Sequence, residues 1–154
     1  MFPAMRRKDR ELSREDAERI LREGEYGTLS LNRSEGYPHA VPMSYAYEDG
    51  VIWLHCARAG TKLDVLRADP RASFSVVGPT EVLPEQFSTN YESTLCYGDI
   101  SEVAGSEAEQ GLMALVAKYS PGFIAEGGAY IERAKAGTCV LKLVIRHMTG
   151  KART

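Results

Sequence analysis

Residues 36–70 read GYPHAVPMSYAYEDGVIWLHCARAGTKLDVLRADP, and this stretch decides how the rest of the chain is read. Residues 38–47 and 51–56 are rich in β-branched and aromatic side chains, the composition of strands. Between them, Glu48-Asp49-Gly50 carries the Asp-Gly pair that supplies the positive φ angles of a hairpin turn. After Cys56 the chain continues Ala57-Arg58-Ala59-Gly60-Thr61-Lys62. There a glycine lets backbone N–H groups approach a ligand, and a hydroxyl and an ammonium follow where a helix opens. Strand, Gly-Thr-Lys loop and helix start together predict a phosphate seat.

Working outward, Ser13 and Asp16 approximate a capping box, the acid one carbon short of the preferred Glu or Gln. Ala17, Ile20 and Leu21 recur at helical spacing behind it, so residues 13–23 read as an amphipathic helix. Residues 26–32 form a short strand, and with the hairpin they predict a three-stranded antiparallel meander. Residues 62–68 are a short helix with Leu63 and Leu66 inward, stopped at Asp69-Pro70. Residues 71–77 alternate as a strand, residues 78–90 read as a loop, and residues 91–104 return to strand character with a bulge expected at Gly98. Ser106 and Glu109 form a capping box for a helix that ends at Pro121. Gly127-Gly128 sets off a second short helix, and residues 138–148 are the clearest strand. The expected architecture is mainly β with peripheral helices: a six-stranded antiparallel barrel rather than a sandwich.

The totals fit one domain over residues 1–154, with residues 1–12 as a solvated, basic N-terminal arm. A net charge of −2 with interspersed signs argues against a broad nucleic-acid or membrane-surface footprint. There is no run of apolar residues long enough to span a bilayer and no secretory h-region. Cys56, Cys96 and Cys139 lie in apolar, strand-like segments without metal-ligand spacing; they read as free buried thiols of a reducing cytoplasm, with no metal site. No nucleophile-elbow pattern supports a hydrolase.

Among individual residues, Lys62 carries the most chemistry. With the free N–H groups of a helix start it offers a point charge to a phosphate dianion; the alternative is an exposed helix-terminal lysine. His55 ends an otherwise apolar strand, either as a half-buried structural residue or as a ligand contact able to shift protons near neutral pH. Pro42 lacks an N–H, so Val41-Pro42-Met43-Ser44 implies an edge or an interrupted ladder that leaves neighbouring N–H groups free. Tyr45, Tyr47, Tyr91 and Tyr97 read as core and interface filler, with Tyr91 the one to watch at a groove.

The ordered set YGTLSLN, GYPHAVPMSY, DGVIWLHCARAGTKLD, Asp69-Pro70 and RASFSVV resembles the pyridoxamine 5′-phosphate oxidase-like, FMN-binding split-barrel proteins. The segments MRRKDREL, TEVLPEQFSTNYES and HMTGKA look like the flavin-nucleotide-binding branch related to nitroimidazole-resistance reductases, so the resemblance covers nearly the whole chain. It implies a homodimeric split β-barrel with FMN in a groove at the subunit interface. The flavin-side strand falls on His39, Val41, Pro42, Met43 and Ser44, two further ligand residues on His55 and Cys56, and the phosphate grip on Thr61 and Lys62 beside Gly60. By the same resemblance, a residue of the later long strand that approaches FMN falls on Ser93. His55 is the candidate catalytic residue. The function implied is electron transfer from NAD(P)H to a small oxidant. Alternatives are a non-catalytic flavin-binding or sensing protein, or the same barrel holding haem or a deazaflavin. Thr61 stands where the oxidase has arginine, His39 replaces a basic residue, and no C-terminal Arg-x-His pair is present. Those departures argue against oxidation of pyridoxamine phosphate.

Overall fold

The computed structural model describes residues 1–154. Seven strands, not six, form one antiparallel sheet: β1 (Gly27–Leu31), β2 (His39–Met43), β3 (Ala46–Glu48), β4 (Val51–Ala57), β5 (Arg71–Leu83), β6 (Ser88–Val103) and β7 (Thr138–Arg153). The helices are α1 (Arg14–Glu23), α2 (Thr61–Ala68), α3 (Gly105–Tyr119) and α4 (Ile124–Ala134). The strand order is β2-β1-β5-β6-β7-β4-β3, so β2 and β3, consecutive in the chain, occupy opposite edges.

That order fixes the shape. Six strand gaps of about 4.8 Å would put the edges of a flat sheet about 29 Å apart. Yet Ser44 and Tyr45 alone connect β2 to β3, three peptide steps that reach about 11 Å at most. The sheet is therefore rolled until its edges meet at this junction. No ladder joins β2 to β3, so the barrel is split rather than closed.

The extra strand comes from the hairpin stretch. The expected strand over residues 38–47 is broken at Ser44-Tyr45: β2 pairs with β1 (Leu29 opposite Val41), while β3 pairs with β4 (Ala46 opposite Trp53). The Asp49-Gly50 turn is present, with φ of 47° and 80°, but it joins β3 to β4. The meander prediction fails for the same reason, since β2 and β4 never pair. The stretch 78–90 is not a loop either. β5 and β6 run on through it as an extended hairpin with a bulge between Val77 and Thr80, turning at residues 84–86. The second bulge lies where Gly98 predicted it, between Tyr97 and Gly98, with Arg146 of β7 as the extra residue. A Cβ on Gly98 would lie 2.1 Å from the Val144 carbonyl oxygen, so the close approach of β6 and β7 there requires glycine.

The core lies inside the roll. Ile20 and Leu21 of α1 pack with Leu29, Phe74, Ile52, Leu54, Leu141 and Leu143 from the strands. A satellite cluster under α3 joins Trp53, Ala46, Val140 and Leu115. Ser13 caps α1 by accepting the Asp16 N–H at 3.1 Å, and its hydroxyl donates to Asp16 Oδ2 rather than receiving a return bond. Ser106 does not cap α3: Ala104 holds that position, and Glu109 pairs with Lys135 at 3.1 Å. Gly127 and Gly128 lie within α4 instead of preceding it, and a Cβ on Gly127 would come 2.4 Å from Val116, so this glycine lets α4 sit against α3. The N-terminal arm is mostly exposed, as a solvated arm is, but it is also held against the sheet. Phe2 stacks on His147 with ring centroids 5.0 Å apart. No helix is long and apolar enough to cross a membrane.

Candidate functional site

Two backbone segments carry most of the expected site residues. The first is β2 with its exit. His39, Val41 and Met43 share the half-buried face of β2, while Pro42 points outward and Ser44 is exposed. Pro42 sits opposite Thr28 on an edge strand, where a missing N–H costs no ladder bond. The N–H of Ser44 makes no backbone hydrogen bond and is left to a ligand or water.

The second segment runs from β4 into α2. Gly60 is the residue before the helix, with φ 143° and ψ 169°, a conformation open essentially to glycine alone. The N–H groups of Arg58, Ala59, Gly60 and Lys62 make no backbone hydrogen bonds, and no side chain caps α2. Lys62 is half-buried and has no carboxylate partner, and Thr61 is exposed. Four unpaired donors and an unneutralised ammonium at the positive end of a helix make an anion seat. Two carboxylates lie nearby: Asp64 and Glu35 line a 330 Å³ cavity beside Thr61, together with Arg33, so the seat is not uniformly cationic. The same cavity shows that the β1–β2 connection, through residues 32–35, reaches Thr61 and Asp64 of α2.

Sequence reasoning missed the brace behind this loop. The Arg58 guanidinium donates from Nε to the Ala136 carbonyl and from Nη2 to the Lys135 carbonyl at 3.1 Å, tying the loop to the turn before β7. An arginine beside a Gly-Thr-Lys loop resembles a phosphate ligand in one dimension; only the fold reveals that carbonyls occupy it.

His55 and Cys56 point to opposite faces of β4. His55 is exposed, on the face that carries Trp53, and has no hydrogen-bond partner, so it is not the satisfied half-buried histidine that one reading allowed. Cys56 packs against the core opposite Cys139. Burial pushes the Cys139 thiol up to about 11 and the Cys96 thiol up to about 12, which keeps both protonated. Ser93 is distant from these residues within one chain. It lies on β6, three strands from β2 in the sheet, about 14 Å at ordinary strand spacing.

A second missed feature holds the split itself. The Tyr119 hydroxyl accepts the Tyr45 N–H at 3.0 Å and donates to the Glu25 carbonyl at 2.5 Å, and Lys118 Nζ donates to the Tyr45 carbonyl at 2.9 Å. The Tyr45 hydroxyl, buried in the core, donates to Leu21 O at 2.5 Å. The Lys118 ammonium also lies 3.6 Å from the centre of the Tyr45 ring. Burial lowers its pKa to about 8. The end of α3 thus supplies by side chains the hydrogen bonds that no strand supplies at Tyr45.

Comparison with known proteins agrees with this architecture. The structure superposes on a conserved hypothetical protein from Mycobacterium tuberculosis with TM-score 0.81 at 22% identity, covering 97% of this chain and 90% of that one. The FAD and heme binding protein from Mycobacterium smegmatis gives TM-score 0.77 at 26% identity, covering 91% and 71%. A candidate 5-nitroimidazole antibiotic resistance protein from Bacteroides thetaiotaomicron gives 0.74 at 20% identity, covering 92% and 86%. Among curated proteins none matches in sequence. The sequence profile described as pyridoxamine 5′-phosphate oxidase matches residues 13–152, nearly the whole chain and every strand and helix but the last residue of β7. The chain belongs to the pyridoxamine 5′-phosphate oxidase family.

Proposed function

We propose that this protein binds FMN between two copies of the chain and passes electrons from a reduced nicotinamide to a small oxidant. The observation that carries the reading is the seat at the start of α2, where free N–H groups and an unpaired Lys62 ammonium match a phosphate dianion. The chemistry of the ring end fits too: β2 is an edge strand, and the free Ser44 N–H at its exit suits a flavin carbonyl or N5. When bound, FMN would supply the redox chemistry, and the protein's part is to orient it and tune its polar edge. In this reading Gly60, Thr61 and Lys62 hold phosphate, and His39, Val41, Pro42, Met43 and Ser44 flank the ring. Cys56 supports the loop from below, and His55 faces solvent, free to exchange a proton with a bound reactant. In this reading Ser93, three strands from β2 in its own chain, meets the flavin from the second copy.

Incubating the purified protein with FMN, removing free flavin and recording the visible spectrum tests binding; a colourless protein with no gain in thermal stability overturns the reading. Bleaching of the bound flavin by NADH or NADPH tests the electron transfer, and a flavin that no donor reduces leaves a binding or sensing protein. A haem reading rests on one observation, the exposed and unpartnered His55, an available iron ligand. A Soret band in freshly purified protein would select it.

A further inference from the structure

The chain wraps around a free edge of β7. β4 pairs with β7 only as far as Val144, so the strand beyond it is open on one side. Leu12 N–H donates to Gly150 O at 2.9 Å and Glu11 bridges Lys151, closing part of that edge. From this anchor α1 packs on one face of β6 and β7, where Thr94 Oγ1 donates to Ala17 O at 2.7 Å. Residues 1–5 cross the opposite face. Phe2 lies flat on His147, and its ring centre is 5.6 Å from that of Tyr97.

Under Pro3, Ala4 and Met5 lies a cavity of about 270 Å³. Its polar side chains are Ser93, Tyr97, Thr149 and Lys151, and none of the four bonds to another group of the protein. Alternation on paired strands puts them together, since Ser93 stands opposite Lys151 and Tyr97 opposite His147. Two acids of the neighbouring backbone have other partners: Glu11, which bridges Lys151, is engaged by Lys8 at 3.0 Å, and Glu92, beside Ser93, by Arg19 at 2.8 Å. Three hydroxyls and an ammonium, sheltered and without an anionic partner, form a donor-rich set that an oxyanion satisfies.

We propose that this cavity is an oxyanion site and that residues 1–5 are a strap over it, lifted when a phosphate- or carboxylate-bearing ligand enters. The site does not require the flavin reading. Its occupant is a small anion other than the flavin phosphate, because none of the residues around the cavity belongs to the seat at the start of α2.

The test is a titration of the full chain with inorganic phosphate, read from the backbone amide NMR signals of Ser93, Thr149 and Lys151. A Lys62→Ala background removes the competing seat. Saturable shifts are expected, weakened about tenfold or more by Lys151→Met, kept within about threefold by Lys151→Arg, and tightened by deleting residues 2–5. Thr149→Val gives a second, neutral probe should Lys151→Met fail to fold. With Lys62 restored, phosphate retained beside bound FMN upholds a separate anion site, and phosphate displaced by FMN assigns these signals to the flavin and overturns the proposal. A chain that binds no FMN defeats the flavin reading and leaves the phosphate titration intact. Absence of saturable shifts, equal affinity in Lys151→Met, or no gain on removing the strap overturns the proposal.

Discussion

Two short backbone segments of this protein are treated in opposite ways. At Ser44-Tyr45 the chain jumps between sheet edges, and the Tyr45 backbone is gripped by Tyr119 and Lys118. At residues 58–60 the chain turns into α2, and the N–H groups are left without partners. An unpaired backbone group costs little at an exposed loop, where water satisfies it, and much at a buried junction. The clamped segment is therefore architecture, and the open one is where a ligand gains most. Arg58 sharpens the contrast: it holds the open loop in place through carbonyls, without consuming its donors.

Breaking the clamp should have the largest effect. Tyr119→Ala removes the acceptor for Tyr45 N–H and the donor to Glu25 O, with an expected loss of about 3 kcal/mol and a fall in Tm of about 6–12 °C by calorimetry. A change within the error of the measurement would mean that water replaces the clamp and that the split is held elsewhere. Lys62→Ala should do the reverse, leaving stability within about 0.5 kcal/mol while weakening FMN by about 10–100-fold and riboflavin hardly at all. Equal losses for the two flavins, in parallel fluorescence titrations, would remove Lys62 from the phosphate seat.

Gly60→Ala probes the open loop by conformation alone, because its Cβ would meet nothing within 4 Å. Its positive φ predicts a cost of about 1–3 kcal/mol in denaturant unfolding, with weaker FMN binding as the seat relaxes. The smallest effect is a slope with pH. Burial lowers the Lys118 pKa from 10.5 to about 8, so between those values the unfolded chain binds more protons than the folded one. Stability contributed by this group therefore rises from pH 8 to 10.5, and its deficit is complete below about 8. Lys118→Met should flatten that slope in unfolding measured across the window; an unchanged slope would place the titrating group elsewhere.

The open loop was legible in the sequence and the clamp was not, for a physical reason. Gly60, Thr61 and Lys62 are contiguous, and the glycine's backbone freedom and the helix start act within a few residues. The break at Ser44-Tyr45 has no local signature: Val41, Met43, Tyr45 and Tyr47 keep an unbroken alternation, as one strand would. What breaks it is Tyr119, 74 residues away. Gly78-Pro79 misled in the other direction. Those residues look like the end of a strand but form a bulge inside a hairpin, which antiparallel pairing on both sides carries through. Gly127 reads as a helix breaker until α3 is seen to need its missing side chain. Lys151 has no local signature of its own, because its meaning depends on the strands and strap around it.

The two-residue link between opposite edges also bears on how the chain reaches its native state. β1–β2 and β3–β4 are local hairpins, each able to form early. Their short tether means that neither can take its final place until β5, β6 and β7 have assembled between them from residues spread over the rest of the chain. Closure of the roll is thus a late, long-range event, and contacts of that kind slow folding. Moving the chain termini to the bond between Ser44 and Tyr45 would keep every ladder while freeing the two hairpins to dock separately.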